Sequence, residues 1–111
     1  MKTTPKVKAP PGLNKRAAVL WGQVVPRRAR TPNRQALIAE ALQSLTRADE
    51  CAARIEKEGL TVTSKSGVVR GHPLLATEKA NRAAFVRIWF EMGLAADDRD
   101  YNPFPETVEF R

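Results

Sequence analysis

Between Asn33 and Glu58 the chain has no glycine and no proline, and Gly59 follows at once. Within that run Ile38, Ala41, Leu45, Ala48, Ala52 and Ile55 alternate by three and four. That spacing lays one apolar seam along a helix of roughly 25 residues. Alanine on the seam lets a neighbouring helix approach closely. Thr46-x-x-Asp49 has the form of a capping box, but no breaker precedes it, so one long helix is expected rather than two. Glu50 and Arg54 are expected to pair at i,i+4 on another face. Cys51, near the seam, suits a small core filler.

The flanking segments supply partners for that helix. Residues 1–12 hold Pro5, Pro10, Pro11 and three lysines, the make-up of an extended, mobile arm. Asn14 is a good N-cap for a short helix, Lys15 to Val25, with Ala17, Leu20, Trp21 and Val24 on one face. Pro26 stops it. Arg27-Arg28-Ala29-Arg30 is a basic connector, and Thr31-Pro32 opens the long helix as N-cap and first-turn proline. Beyond Gly59, Leu60–Thr63 and Val68-Val69 flank the polar turn Ser64-Lys65-Ser66-Gly67, which predicts a short β-hairpin. Two strands are marginal alone, so the hairpin is expected to lean on the helices. His72-Pro73 begins a second long helix that runs to Met92 and stops at Gly93, with His72 as its capping residue.

The second half of that last helix is unusual. From Ala83 to Met92, eight of ten residues are apolar. A helix apolar nearly all round is buried nearly all round, and one small domain has difficulty covering it. Two readings stand: an unusually wide core face, or a face covered by a second copy of the chain. The fold expected is mainly α: a short N-terminal helix, two long helices joined by a β-hairpin, a flexible basic N-terminal arm and an acidic C-terminal tail. Residues 1–12 form the arm, 13–94 the helical domain, and 95–111 an irregular acidic tail whose Phe104, Val108 and Phe110 either dock onto something or stay disordered.

At 111 residues there is room for one domain. Cys51 and His72 are each the sole residue of their type, which excludes an internal disulfide, a thiolate metal cage and any two-histidine site. No phosphate-binding glycine motif occurs, no cofactor is implied, and no carboxylate arrangement suggests acid–base chemistry, so an enzyme is not expected. No apolar run is long enough to span a bilayer and no secretory signal opens the chain, so it is expected in the cytoplasm. The net charge of +7 is distributed unevenly. Residues 1–34 carry nine positive charges and no acid, residues 35–94 are nearly balanced, and residues 95–111 carry a net −3. The basic end implies a polyanionic partner, with a merely solvated tail as the alternative.

Glu56-Lys57-Glu58-Gly59-Leu60, the hairpin, Gly71-His72-Pro73-Leu74-Leu75 and the closing Met92-Gly93-Leu94 resemble a phage terminase small-subunit family, as does Leu13 to Trp21 as a short helix ahead of the long one. The resemblance covers roughly residues 13–94, and its strength lies in the order and spacing of the motifs. It implies a non-catalytic helical domain that oligomerises into a ring and serves DNA packaging. Such a protein recognises double-stranded viral DNA, initiates packaging in the host cytoplasm, and recruits and regulates a large ATPase-nuclease subunit. Two features depart from the family pattern: the front is uniformly basic, and the tail is acidic with Pro103 and Pro105.

The residues expected to contact DNA are Lys15, Arg16, Arg27, Arg28, Arg30 and Arg34, because arginines beside a helix start suit phosphate oxygens. Lys65 and Arg70 on the hairpin are a second basic candidate. Ile38, Leu45, Ile55, Phe85, Trp89 and Met92 are expected to carry packing within and between subunits. Trp21 and Trp89 suit core or interface anchors rather than base-stacking platforms. Two other function classes compete: a small basic dimeric DNA-binding regulator, and a protein-interaction adaptor with no nucleic-acid role.

Overall fold

The computed structural model describes residues 7–95. Three helices and one hairpin follow in order: α1 (Lys15–Val24), α2 (Pro32–Glu58), β1 (Thr61–Thr63), β2 (Val69–Gly71) and α3 (Leu74–Glu91). This is the mainly helical architecture with a hairpin between two long helices that the sequence predicts. The proposed acidic tail lies outside the described residues apart from Ala95, as do the first six residues of the arm. From Val7 onward the arm is held, contrary to the expectation of mobility. Val7 and Ala9 pack against the core, and the Trp21 indole Nε1 donates to the Val7 carbonyl at 2.9 Å.

The helix starts follow their capping residues. Asn14 Oδ1 accepts from the Ala17 amide at 2.8 Å, and Thr31 Oγ1 accepts from the Arg34 amide at 3.2 Å, each satisfying one orphan donor of a first turn. Ala17, Trp21 and Val24 form the buried face of α1. On α2, Ile38, Ala41, Leu45, Ala48 and Ile55 of the heptad seam are buried, together with Leu42 and Cys51, whereas Ala52 of the seam is only half-buried. The helix continues unbroken through Thr46 and Asp49. Those two residues receive α1 instead of capping a new helix: the Asn14 amide donates to Thr46 Oγ1 at 3.1 Å, and Asn14 Nδ2 donates to Asp49 Oδ2 at 2.9 Å.

Contacts at both ends and in the middle show that α2 and α3 run antiparallel. Arg34 reaches the Met92 carbonyl, Arg82 meets Asp49 at 3.3 Å, and His72 meets Glu58 at 2.6 Å. His72 caps as expected: its Nδ1 accepts from the Leu74 amide at 3.1 Å, which leaves the Nε2 proton facing the Glu58 carboxylate. Arg54 does not turn back to Glu50. It pairs forward with Glu58 at 3.1 Å, because His72 already fixes that carboxylate. The end of α3 is a Schellman turn: Gly93 takes φ +74°, and the Leu94 and Gly93 amides donate to the Trp89 and Phe90 carbonyls.

β1 and β2 are antiparallel, with Thr61 opposite Gly71, Val62 opposite Arg70 and Thr63 opposite Val69. Every residue from Leu60 to Gly71 is exposed. The hairpin therefore projects from the end of the α2–α3 pair instead of leaning on the helices, and only its base is tied down, where the His72 amide donates to the Leu60 carbonyl at 2.8 Å.

Candidate nucleic-acid interface

The six basic residues expected at DNA separate into two patches. The start of α1 sits beside Thr46 and Asp49, whereas the connector lies at the start of α2, roughly 20 Å away along that helix at 1.5 Å per residue. Lys15 is exposed and has no hydrogen bond or ion pair among the described residues. Arg16 is committed to the fold: its Nη2 lies 3.0 Å from Asp49 Oδ1. Arg47, which sequence reasoning passed over, is exposed one residue beyond Thr46 and adds positive charge to this patch. It also lines a shallow hollow of about 250 Å³ with Pro11, Gly12, Gln43, Thr46 and Glu50.

The connector is the better-organised patch. Ala29 is fully buried, and its carbonyl accepts from Gln35 Nε2 at 3.0 Å, so the backbone between the arginines is pinned. Arg28 Nη2 donates to the Gly93 carbonyl at 2.7 Å. Arg34 Nη2 lies 3.4 Å from both the Met92 and Arg28 carbonyls. Both guanidiniums thus serve the carbonyl end of α3, where a helix leaves acceptors unsatisfied and carries partial negative charge. Arg34 has five N–H donors, and these bonds use only one of its two terminal nitrogens. Arg27 and Arg30 are exposed and have no hydrogen bond or ion pair among the described residues. Their charge faces solvent from a rigid base.

Lys65 and Arg70 are exposed on the hairpin, and no acid occurs between Gly59 and Thr77. At the hairpin base, the hydrogen bond from His72, then the Arg54 guanidinium, holds the Glu58 carboxyl below the ordinary carboxylate range. Among the described residues no group of three His, Cys, Asp or Glu side chains is placed to hold a metal ion.

The residues expected at a subunit interface divide by burial. Ile38, Leu45 and Ile55 are at most 5% exposed. They are therefore spent within the chain, and their role between subunits is corrected. Phe85, Trp89 and Met92 are half-buried against the same core, with the Phe85 and Trp89 rings 5.0 Å apart. Trp21 is buried, as a core anchor should be. No side chain of α3 is fully buried. Leu75, Val86 and Phe90 stay exposed, Phe90 at 69%, and at 100° per residue they fall within about 60° of one another. The helix that is apolar nearly all round is thus covered on one side only.

No family model, no curated protein and no solved structure matches this chain. Among the described residues no helix is long and apolar enough to cross a membrane.

Proposed function

We propose that the chain is the small subunit of a phage or prophage terminase, a non-catalytic protein that recognises viral double-stranded DNA in the host cytoplasm. In this reading it forms an oligomeric ring, and recruits and regulates the large ATPase-nuclease subunit. The observation that carries the DNA half of the reading is the rigid connector. Arg27 and Arg30 extend from a pinned backbone with no acid against them among the described residues, within an acid-free stretch of sequence. Guanidiniums so placed bind phosphate oxygens, giving affinity without base discrimination. Repetition around a ring multiplies each modest contact. The Leu75–Val86–Phe90 stripe supports the oligomer half, since a second copy covers an apolar face that α2 leaves open.

The test is DNA affinity as a function of salt for the wild type and for R27E/R30E. These two positions are chosen because Arg28 and Arg34 also hold the end of α3. Each lost phosphate contact lowers the slope of log K against log salt by about 0.9, so the double variant should bind more weakly with a shallower slope. Equal affinity and slope in both proteins would overturn the assignment. Absence of DNA binding by the wild type at low salt would favour the adaptor.

A further inference from the structure

We infer that Arg27 and Arg30 form a docking surface for the chain's own acidic segment, residues 96–111, and that this segment competes with DNA for them. The competition rests on the function proposed above; the docking does not. Four observations lead here. The chain leaving α3 passes directly over the connector, since Arg28 holds the Gly93 carbonyl at 2.7 Å and Arg34 approaches that of Met92. Asp97, Asp98 and Asp100 follow within seven residues of Gly93, a reach of at most about 25 Å fully extended, so they can meet Arg27 and Arg30 without any rearrangement of the helices.

The charges are complementary. Residues 96–111 carry Asp97, Asp98, Asp100, Glu106 and Glu109 against Arg99 and Arg111, whereas no acid precedes Glu40 at the other end of the chain. The apolar character matches too. Leu37 is 49% exposed, within about one helical turn of Arg34 at the connector's end. The acidic segment intersperses Tyr101, Phe104, Val108 and Phe110 among its carboxylates.

Tethering makes such a contact effective even when it is intrinsically weak. Covalent attachment through a few residues holds the segment at an effective concentration of the order of millimolar, so carboxylates occupy Arg27 and Arg30 until a polyanion of higher charge density displaces them. Because the attraction is between exposed charges, it weakens as salt shortens the screening length from about 8 Å at physiological strength to about 3 Å at 1 M.

The experiment uses the full chain and a variant, D97N/D98N/D100N, that removes charge without shortening it. Nitroxides at Q23C and T107C, in a C51A background, report the distance between the exposed end of α1 and the acidic segment by electron–electron resonance. Docking predicts a narrow short-distance population that broadens in the neutralised variant and at high salt. The same distribution in both proteins would overturn the docking. Loss of the short distance on dilution with unlabelled chain would overturn its intrachain form and make a neighbouring copy's segment the occupant. In parallel, a mixed-sequence DNA duplex should bind the neutralised variant roughly threefold more tightly or better at moderate salt, with the difference fading at high salt. Equal affinities with docking intact would overturn the competition. If neither protein bound DNA, the function proposed above would fail, while the distance measurement would still decide the docking.

Discussion

Replacing Asp49 by alanine should loosen the joint at which all three helices meet. Its carboxylate accepts from Asn14 Nδ2 at 2.9 Å and faces Arg16 at 3.0 Å and Arg82 at 3.3 Å. The two ion pairs are partly solvated, with the arginine side chains 58% and 37% exposed, so each contributes only about 0.2–1 kcal/mol after screening. The Asn14 hydrogen bond adds about 0.5–1.5 kcal/mol. The alanine variant should therefore lose about 1–3 kcal/mol, and Asp49→Asn, which keeps an acceptor for Asn14 but no charge, should lose about half of that or less. Urea unfolding followed by tryptophan fluorescence is the assay, because Trp21 lies buried on α1. With a slope of about 1–3 kcal/mol per molar urea, the alanine variant's midpoint should fall by about 1 M at unchanged slope. Raising salt should narrow the gap to wild type without closing it, since the Asn14 bond is not an ion pair. A wild-type midpoint for Asp49→Ala, or equal losses for the alanine and asparagine variants, would refute this account of the joint.

Three further outcomes follow from the same structure. Leu42→Ala, at a fully buried position, should cost about 2–5 kcal/mol in urea unfolding, and a loss below about 1 kcal/mol would contradict the core placed here. Gly93→Ala, at φ +74°, should destabilise by about 1 kcal/mol or more, read as a lower thermal midpoint; an unchanged midpoint would deny the Schellman turn its role. Glu58 has its carboxyl held low in the folded state, so the stability it contributes is present above the ordinary glutamate range and lost as pH falls through its folded value. Stability measured from pH 7 downward should accordingly fall less steeply in Glu58→Gln than in wild type, and parallel profiles would remove the His72–Glu58 contact from the account.

The features legible in the sequence are those fixed by neighbours along the chain. Capping by Asn14, Thr31 and His72, the stops at Gly59 and Gly93, and the seam from Ile38 to Ile55 depend on spacing within a few turns, and the structure shows each of them. The misread features depend on contacts between elements. Thr46-x-x-Asp49 looks like a cap because the pattern is local, yet its side chains serve Asn14, which is 32 and 35 residues away. Glu50 was the local partner for Arg54, but a carboxylate already fixed by His72 is the better one. Arg28 and Arg34 read as free basic charge until antiparallel packing brings the carbonyl end of α3 onto them. For the site, the basic character of the connector was legible, whereas its division of labour was not. The seam likewise revealed which α2 residues are apolar, but not that the chain itself buries them while Leu75, Val86 and Phe90 stay exposed.

Assembly through the open face of α3, as proposed above, is read out by native mass from light scattering. The account predicts a discrete species of many 12.3 kDa chains at moderate salt, collapsing to lower mass in V86D/F90D while helical content is retained. A wild-type mass that stays at that of a monomer across the accessible concentration range would contradict it.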